Sequence, residues 1–227
     1  MSNIFSKSFE YFTKNIFSIF LISILASIFS EVNIFYKFTL NNTARLLSLT
    51  ILGNGIIGTF VANYAKIEIY NSIKENRNPS IINAIKNFFD YGFDMFKLQL
   101  LILIKTIMWT LLLIIPGIIK SLEYQRAIYL KVENSDMQIR ECFETAKEQM
   151  QDRKLSLFGY ELLASLPFVI TTFVSTLFTE FPFSINYYSI ISLIMVLALI
   201  ITSLLTLCLS LIIEPMFNVE LKELIKN

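Results

Sequence analysis

Five long apolar runs dominate the chain and limit the folds that are open to it. They extend from Asn15 to Ser30, from Leu46 to Ala65, from Phe96 to Ile115, from Leu157 to Phe178 and from Tyr188 to Ile213. A helix needs about 20 apolar residues, with a range of roughly 17 to 25, to cross the hydrocarbon core of a bilayer. Only 16% of the 227 residues are charged, whereas ordinary soluble domains have about a quarter. The sequence therefore predicts an all-α membrane protein.

The basic residues that follow the third run predict one further crossing. Cytoplasmic loops of membrane proteins carry an excess of Lys and Arg. With five crossings and a cytoplasmic N-terminus, the basic segment 116–154 would lie outside, whereas the loop before Tyr188 would lie inside without any basic residue. A return helix from Pro116 to Val132, after a turn at Pro116 and Gly117, removes this conflict, and proline is well tolerated at a helix start. The prediction is a bundle of six transmembrane helices.

Six crossings place nearly all of the loop cations on one side of the membrane. Lys37 and Arg45 are the two on the outer side. The 14 on the inner side are Lys7, Lys14, Lys66, Lys74, Arg77, Lys86, Lys97, Lys131, Arg140, Lys147, Arg153, Lys154, Lys222 and Lys226. We therefore expect one integral membrane domain over residues 1–227 in the bacterial cytoplasmic membrane, with both termini cytoplasmic and the Pro116–Gly117 turn facing outward.

Two charged segments between the apolar runs have the pattern of amphipathic helices at the cytoplasmic surface. The first begins at Asn78 and Pro79, and its apolar face consists of Ile81, Ile85, Phe88, Phe89 and Phe96. The second covers 135–154, and its apolar face consists of Ile139, Cys142, Phe143, Ala146 and Met150. Residues at this spacing form one stripe along a helix. Both helices are expected to pack against the inner ends of the spans, with lipid sensing or partner binding as the alternative.

Composition argues against several kinds of chemistry. The chain has no histidine, so it lacks the commonest general base and the usual zinc ligand. Cys142 and Cys208 have no C-x-x-C spacing, and neither a disulfide nor a metal site is expected. The net charge of +1 gives no field that would attract nucleic acid.

One glycine pattern has the spacing of a dinucleotide-binding turn. Gly53, Gly55 and Gly58 spell G-x-G-x-x-G. That fingerprint needs a strand before it and an amphipathic helix after it, within an alternating sheet. The glycines lie instead inside the second apolar run, where Gly58 and Ala62 are typical of close helix packing. No nucleotide or other cofactor is expected.

Four ionisable residues inside or beside the predicted spans are the candidate site: Lys105, Glu123, Arg126 and Glu161. Each such group costs about 2.5 to 3.5 kcal/mol at membrane depth unless it is paired. If the chain reverses at Pro116, Lys105 and Arg126 lie at similar depth, and Glu123 shares a helix face with Arg126. The four charges sum to zero. We expect an intramembrane cluster that either locks three helices together or forms a substrate or proton site.

The stretch from Ile107 to Leu130 resembles a family of uncharacterised bacterial integral membrane proteins, number 975 among the domains of unknown function. The matching residues are Trp109, Ile115, Pro116, Gly117, Ile118, Ile119, Lys120 and Tyr124, followed by Met150, Lys154, Leu157 and Phe158. Gln151 and Asp152 stand where the family usually has Lys and Gly. The chain is also distantly similar to the membrane portion of some glycerophosphodiester phosphodiesterases. The resemblance implies a small multi-span protein with no assigned reaction and no established functional residues.

These observations predict a non-enzymatic protein that serves as an accessory or transport- or export-type component of the membrane. The alternative is an intramembrane enzyme that acts on a lipid or a peptide through Glu and Lys. The lipid bilayer is the expected partner, with another membrane protein as an open addition. No metal ion is expected, because no cluster of ligating residues is apparent in the sequence.

Overall fold

A computed structural model of the chain describes residues 4–31, 44–180 and 185–226, and these residues form helices and short connections without a strand. The helices are α1 (Ile4–Lys14), α2 (Ile16–Glu31), α3 (Ala44–Lys74), α4 (Ile81–Leu112), α5 (Ile114–Glu133), α6 (Ile139–Gln149), α7 (Lys154–Glu180) and α8 (Ile185–Lys226). The predicted all-α class is confirmed.

Three helices of the described residues are long and apolar enough to cross a membrane. They are α4, α7 over Lys154–Val174 and α8 over Leu197–Ile225. α1 and α2 meet at a bend of 96°, and they add a fourth candidate if the pair acts as one span. The structure therefore shows a helical protein with three to four candidate spans. This count does not confirm the six crossings and the two interfacial helices predicted from the sequence, which stay predictions.

Glu68, near the end of α3, fixes the turn into α4. Its carboxylate is fully buried and accepts hydrogen bonds from both terminal nitrogens of Arg77, the Nη2 bond being 3.0 Å long. It also accepts from the backbone N–H of Ser80 at 3.0 Å and from Nδ2 of Asn87 at 3.4 Å. A buried carboxylate is tolerated when it is paired and hydrogen-bonded in this way. One side chain thus joins α3, the connection and the first turns of α4.

α4 consists of two helical pieces that meet at Gly92. The φ angle of Gly92 is 53°, a value that glycine adopts without the strain that a side chain would cause. The amphipathic helix predicted from Asn78 onward corresponds to the piece before Gly92, and its Ile82 and Phe89 are largely exposed. Within the segment 135–154, predicted as the second amphipathic helix, the structure has the shorter helix α6, whose Cys142 is buried against α5.

α4 and α5 form a hairpin in which one non-helical residue, Leu113, connects the two helices. The Leu113 N–H donates to the Trp109 carbonyl at 3.0 Å, and the Gly117 N–H donates to the Leu113 carbonyl at 3.1 Å. Pro116 and Gly117, the predicted turn, therefore lie inside the first turn of α5. Proline fits anywhere in a first helical turn because the N–H groups there have no intrahelical acceptor. Pro116 marks the beginning of the helix and not the reversal itself.

Gly117 lets the two arms of the hairpin approach closely. A Cβ atom added at Gly117 would lie 2.7 Å from Cα and 2.9 Å from the backbone nitrogen of Thr110 on the opposite arm. Both distances are far below van der Waals contact, and backbone atoms cannot rotate away. The hairpin therefore requires glycine at this position.

Replacing Gly117 with alanine is expected to lower the free energy of unfolding by about 1 to 3 kcal/mol, the usual cost of overpacking. Gly159→Ala in α7 is the matched control, since a Cβ atom there meets nothing within 4 Å. In a helix interior that control should be neutral or stabilising by up to about 1 kcal/mol. Thermal unfolding in detergent measures both variants. Equal stability of the two would contradict the close approach of the arms.

Candidate functional site

A cavity of about 330 Å³ lies between α3, α4 and α5. Much of its wall is apolar, with Phe60, Ile102 and Ile128 among the lining residues. The polar residues that line it are Asn63 and Lys66 from α3, Gln99 and Thr106 from α4, and Ser121 and Gln125 from α5. Ligand pockets commonly measure about 300 to 1,000 Å³ and combine apolar walls with a few placed polar groups. The cavity has the size and the composition of a small-molecule site.

Among the residues that the structure describes, three lining residues leave a buried polar atom without a hydrogen-bond partner. These atoms are Nε2 of Gln99, Oγ1 of Thr106 and Oε1 of Gln125. The other amide atom of Gln99, Oε1, accepts from Asn63 Nδ2 at 3.3 Å. An unsatisfied buried group costs about 1 to 3 kcal/mol, so native proteins keep few of them. The unsatisfied set is one amide donor, one hydroxyl and one amide acceptor, all uncharged.

Lys66 adds a positive charge to the cavity wall, and Glu214 of α8 neutralises it. The Lys66 ammonium and the Glu214 carboxylate form a direct ion pair, and the Glu214 side chain is almost completely buried. Glu161 of α7 lies close enough to both groups to interact with them electrostatically. Since Lys66 already has a partner, the wall offers a ligand little net charge.

Arg126 is the centre of a second polar network, which joins α5, α6 and α8. Its side chain is only 2% exposed. Nε donates to Oε1 of Gln149 at 2.8 Å, and Nη1 lies 3.2 Å from a Glu133 oxygen and 3.3 Å from Oδ1 of Asn218. Asn218 in turn donates to the Glu214 carbonyl at 2.8 Å, so the two networks are connected through α8.

Glu133, the last residue of α5, completes the Arg126 network. Its carboxylate accepts from the Tyr70 hydroxyl at 2.5 Å and pairs with the Lys222 ammonium at 3.0 Å. Burial disfavours the charged form, but Arg126, Tyr70 and Lys222 outweigh it and hold the pKa of Glu133 below its ordinary value. Lys222 is a quarter exposed, so this network extends to the protein surface.

Glu123 binds two lysines at the point where α7 begins. Its buried carboxylate accepts from Lys120 at 2.9 Å and from Lys154 at 2.6 Å. Lys154 is the first residue of α7, and Leu155, directly after it, is 80% exposed. The apolar outer surface of α7 therefore starts beside the Glu123–Lys154 pair.

Among the described residues, Lys105 contacts aromatic rings and not a carboxylate. Its ammonium lies 3.6 Å from the Phe143 ring centroid and 5.6 Å from that of Tyr124. A cation over an aromatic face is attracted by the ring quadrupole. Because Phe143 belongs to α6, this contact connects the C-terminal part of α4 to the charged segment between α5 and α7.

The four residues of the predicted cluster are distributed over separate contacts. Lys105 faces Phe143, Glu123 binds Lys120 and Lys154, Arg126 binds Glu133, and Glu161 lies near Lys66 and Glu214. The position of the helix break explains the difference. A reversal at Pro116 puts Lys105 and Arg126 at 11 and 10 residues from the turn, whereas the break at Leu113 puts them at 8 and 13. Arg126 is thereby displaced along the hairpin from Lys105.

Sequence reasoning missed the residues that complete the site: Lys66, Gln99, Gln125, Glu133 and Glu214. One signal for the first ion pair was present. Lys66 directly follows the second apolar run and Glu214 directly follows the fifth, so two opposite charges end two spans that run in the same predicted direction. The glutamines gave no signal, because an amide in a long helix has no characteristic spacing.

No protein-family model, curated protein or solved structure matches the chain. The class of protein therefore rests on the fold and the site. It is a helical protein with three to four candidate spans and a cavity lined by both apolar and polar residues. The family resemblance of the stretch around Pro116 stays a prediction.

Proposed function

We propose that this protein is a non-enzymatic, multi-span component of the bacterial cytoplasmic membrane that binds a small polar solute for transport or export, or as an accessory subunit. The observation that carries the proposal is the cavity between α3, α4 and α5, with its three unsatisfied buried groups on Gln99, Thr106 and Gln125. A polar occupant would satisfy these groups and remove their energetic cost.

The unsatisfied groups indicate the kind of solute. An amide N–H, a hydroxyl and an amide oxygen can together bind a molecule that both donates and accepts hydrogen bonds. A charged solute would have to separate Lys66 from Glu214, and breaking one side of a buried ion pair is costly. We therefore propose an uncharged solute bearing hydroxyl or amide groups.

Polar groups also connect the cavity to the protein surface. Lys66 and Glu214 lie next to the cavity, Asn218 joins Glu214 to Arg126, and Glu133 joins Arg126 to the partly exposed Lys222. The distribution of basic residues in the sequence favours a cytoplasmic position for the Lys222 end and for both termini. The network thus links the cavity wall to a surface that the proposal places in the cytoplasm.

The test is a stability screen in lipid nanodiscs with two matched panels of solutes. One panel contains uncharged polyols, sugars and primary amides, and the other contains small carboxylates and amines. A ligand that binds only the folded state raises its stability by RT ln(1 + [L]/Kd), so at least one uncharged solute should raise the unfolding midpoint. The shift should disappear in a variant with Gln99→Leu and Gln125→Leu. The control is Gln151→Leu, since Gln151 is exposed and outside the cavity.

The remaining outcomes separate the alternatives. Saturable uptake of the stabilising solute by proteoliposomes would support transport, and binding without uptake would support an accessory role. Stabilisation only by charged solutes, or stabilisation that persists in the double variant, would contradict the proposal. Chemical turnover of the bound molecule that is lost in Glu161→Gln would favour an intramembrane enzyme instead.

A further inference from the structure

The tip of the α4–α5 hairpin is apolar on all sides and exposed. Leu111, Leu112, Leu113, Ile114 and Ile115 are between 66% and 81% exposed. The 14 residues between Lys105 and Lys120 contain no charge. Such a surface would be unfavourable in water, because burying apolar area is the dominant gain in folding and association. The tip therefore requires an apolar partner.

Two contacts fix how far the tip lies from water. Glu123 pairs with Lys154 at 2.6 Å, and the Lys105 ammonium lies 3.6 Å from the Phe143 ring centroid. Phe143 and Lys154 belong to the segment 133–154, whose charged residues require an aqueous or headgroup environment. Its charged residues are Glu133, Asp136, Arg140, Glu141, Glu144, Lys147, Glu148, Asp152, Arg153 and Lys154.

The hairpin is too short to carry its tip across a bilayer from that level. Leu113 is ten residues from Glu123 and eight from Lys105, which corresponds to about 15 Å and 12 Å at 1.5 Å per helical residue. Lys97, an exposed charge further along α4, is 16 residues from Leu113, or about 24 Å. The hydrocarbon core measures about 30 Å. Measured from these charged residues, neither arm spans it, although α4 as a whole is long enough to do so.

We propose that the α4–α5 hairpin is re-entrant: it enters and leaves the membrane on the side of segment 133–154, and its tip is embedded in the acyl chains near the bilayer centre. The partner of the exposed tip is lipid hydrocarbon. This assignment replaces two of the six predicted crossings and places Pro116 and Gly117 inside the membrane, where the sequence predicted an outward-facing turn.

The backbone break at the tip keeps the number of unpaired polar groups low. Lipid-exposed segments must satisfy their N–H and C=O groups internally. The break at Leu113 keeps two hydrogen bonds, from Leu113 N–H to the Trp109 carbonyl and from Gly117 N–H to the Leu113 carbonyl. Pro116 has no N–H, so it removes one of the donors that a helix start leaves without an intrahelical acceptor. The N–H groups of Ile114 and Ile115 remain in that position, together with carbonyls of the last turn of α4.

The charges at the base of the hairpin match a headgroup layer. Lys120 and Lys154 both pair with the single carboxylate of Glu123, which leaves an excess of positive charge at this level. Phospholipid phosphates are negative, and lysines near a membrane surface are attracted to anionic lipids. The apolar surface of the hairpin begins where this charged layer ends.

The re-entrant hairpin leaves the basic-residue distribution unchanged. Segment 133–154 stays on the side where six crossings would place it, so the inner and outer counts of 14 and 2 loop cations are the same. The distribution therefore does not distinguish the two arrangements. The depth of the tip does distinguish them.

Tryptophan quenching by brominated lipids measures that depth. Trp109 is the single tryptophan of the chain, so Trp109→Phe gives a background without tryptophan. Leu112→Trp and Ile115→Trp in this background place one probe each at exposed tip positions, which tolerate a larger side chain. Leu155→Trp is the control, because Leu155 is 80% exposed and adjoins Lys154 at the charged level. The proteins are reconstituted in phosphatidylcholine and phosphatidylglycerol vesicles brominated either near the headgroup or deep in the acyl chain.

The re-entrant hairpin predicts that both tip probes are quenched most strongly by bromine deep in the chain, and that the Leu155→Trp control is quenched most strongly by bromine near the headgroup. Aqueous acrylamide should leave the tip probes unquenched. Strongest quenching of the tip by headgroup-level bromine or by acrylamide would overturn the proposal in favour of a crossing hairpin. Protection of both tip probes from every brominated lipid would overturn it in favour of a second protein copy covering the tip.

Discussion

Replacing Arg126 with methionine is expected to lower the free energy of unfolding by about 3 to 5 kcal/mol, because it leaves Glu133 buried without its guanidinium partner. Arg126 is 2% exposed and also binds Gln149 and Asn218, so two further polar groups lose a donor. A titration with denaturing detergent in mixed micelles measures the change.

A double variant distinguishes the cost of the buried Glu133 carboxylate from the other effects of replacing Arg126. Adding Glu133→Gln to Arg126→Met removes the carboxylate that has lost its guanidinium partner, and removing both members of a buried pair is often nearly neutral. Lys222, which also pairs with Glu133, is a quarter exposed and can be solvated instead. Much of the lost stability should therefore return. Arg140→Met is the matched control, since Arg140 is 89% exposed and its pair with Glu144 is solvated; its effect should stay within about 0.5 kcal/mol. An Arg126→Met variant as stable as Arg140→Met would refute the buried network.

Glu68→Ala is the second substitution with a large expected effect, a loss of about 3 kcal/mol or more. It removes the acceptor for Arg77, for the Ser80 N–H and for Asn87, and it leaves a cavity at a fully buried position. Glu75→Ala is a suitable control, because Glu75 also contacts Arg77 but is exposed. Thermal unfolding of the two variants should differ by several degrees. Equal midpoints would show that Glu68 does not hold the turn between α3 and α4.

The helical class of the fold could be predicted because it depends on composition and run length. An apolar stretch such as Phe96–Ile115 has few alternatives to a helix in a chain this poor in charge. Helix breaks were harder to place. Pro116 is compatible with every position of a first helical turn. The sequence therefore placed the chain reversal only to within about three residues, and the structure places it at Leu113.

The candidate site was less predictable than the fold because it depends on which helix faces meet. Glu123 has Lys120 and Arg126 at equal spacing on one helix, and only the tertiary structure selects Lys120 together with Lys154. Gln99 and Gln125 come from opposite arms of the hairpin, 26 positions apart, and converge only once the register of the arms is set. The polar character of the cavity is therefore a property of packing.

The thiol reactivity of two cysteine variants on different faces of α4 shows whether the cavity is accessible to a solute. Thr106 lines the cavity, whereas Met108, two residues further along the same helix, is 61% exposed on the outer surface of the hairpin. Thr106→Cys and Met108→Cys are made with both native cysteines, Cys142 and Cys208, replaced by alanine, and a hydrophilic thiol reagent is added to the protein in nanodiscs. A polar, solute-accessible cavity predicts that Thr106→Cys reacts at least tenfold faster than Met108→Cys and that a stabilising solute slows it. Equal rates, or faster reaction of Met108→Cys, would contradict a polar site inside the membrane part of this protein.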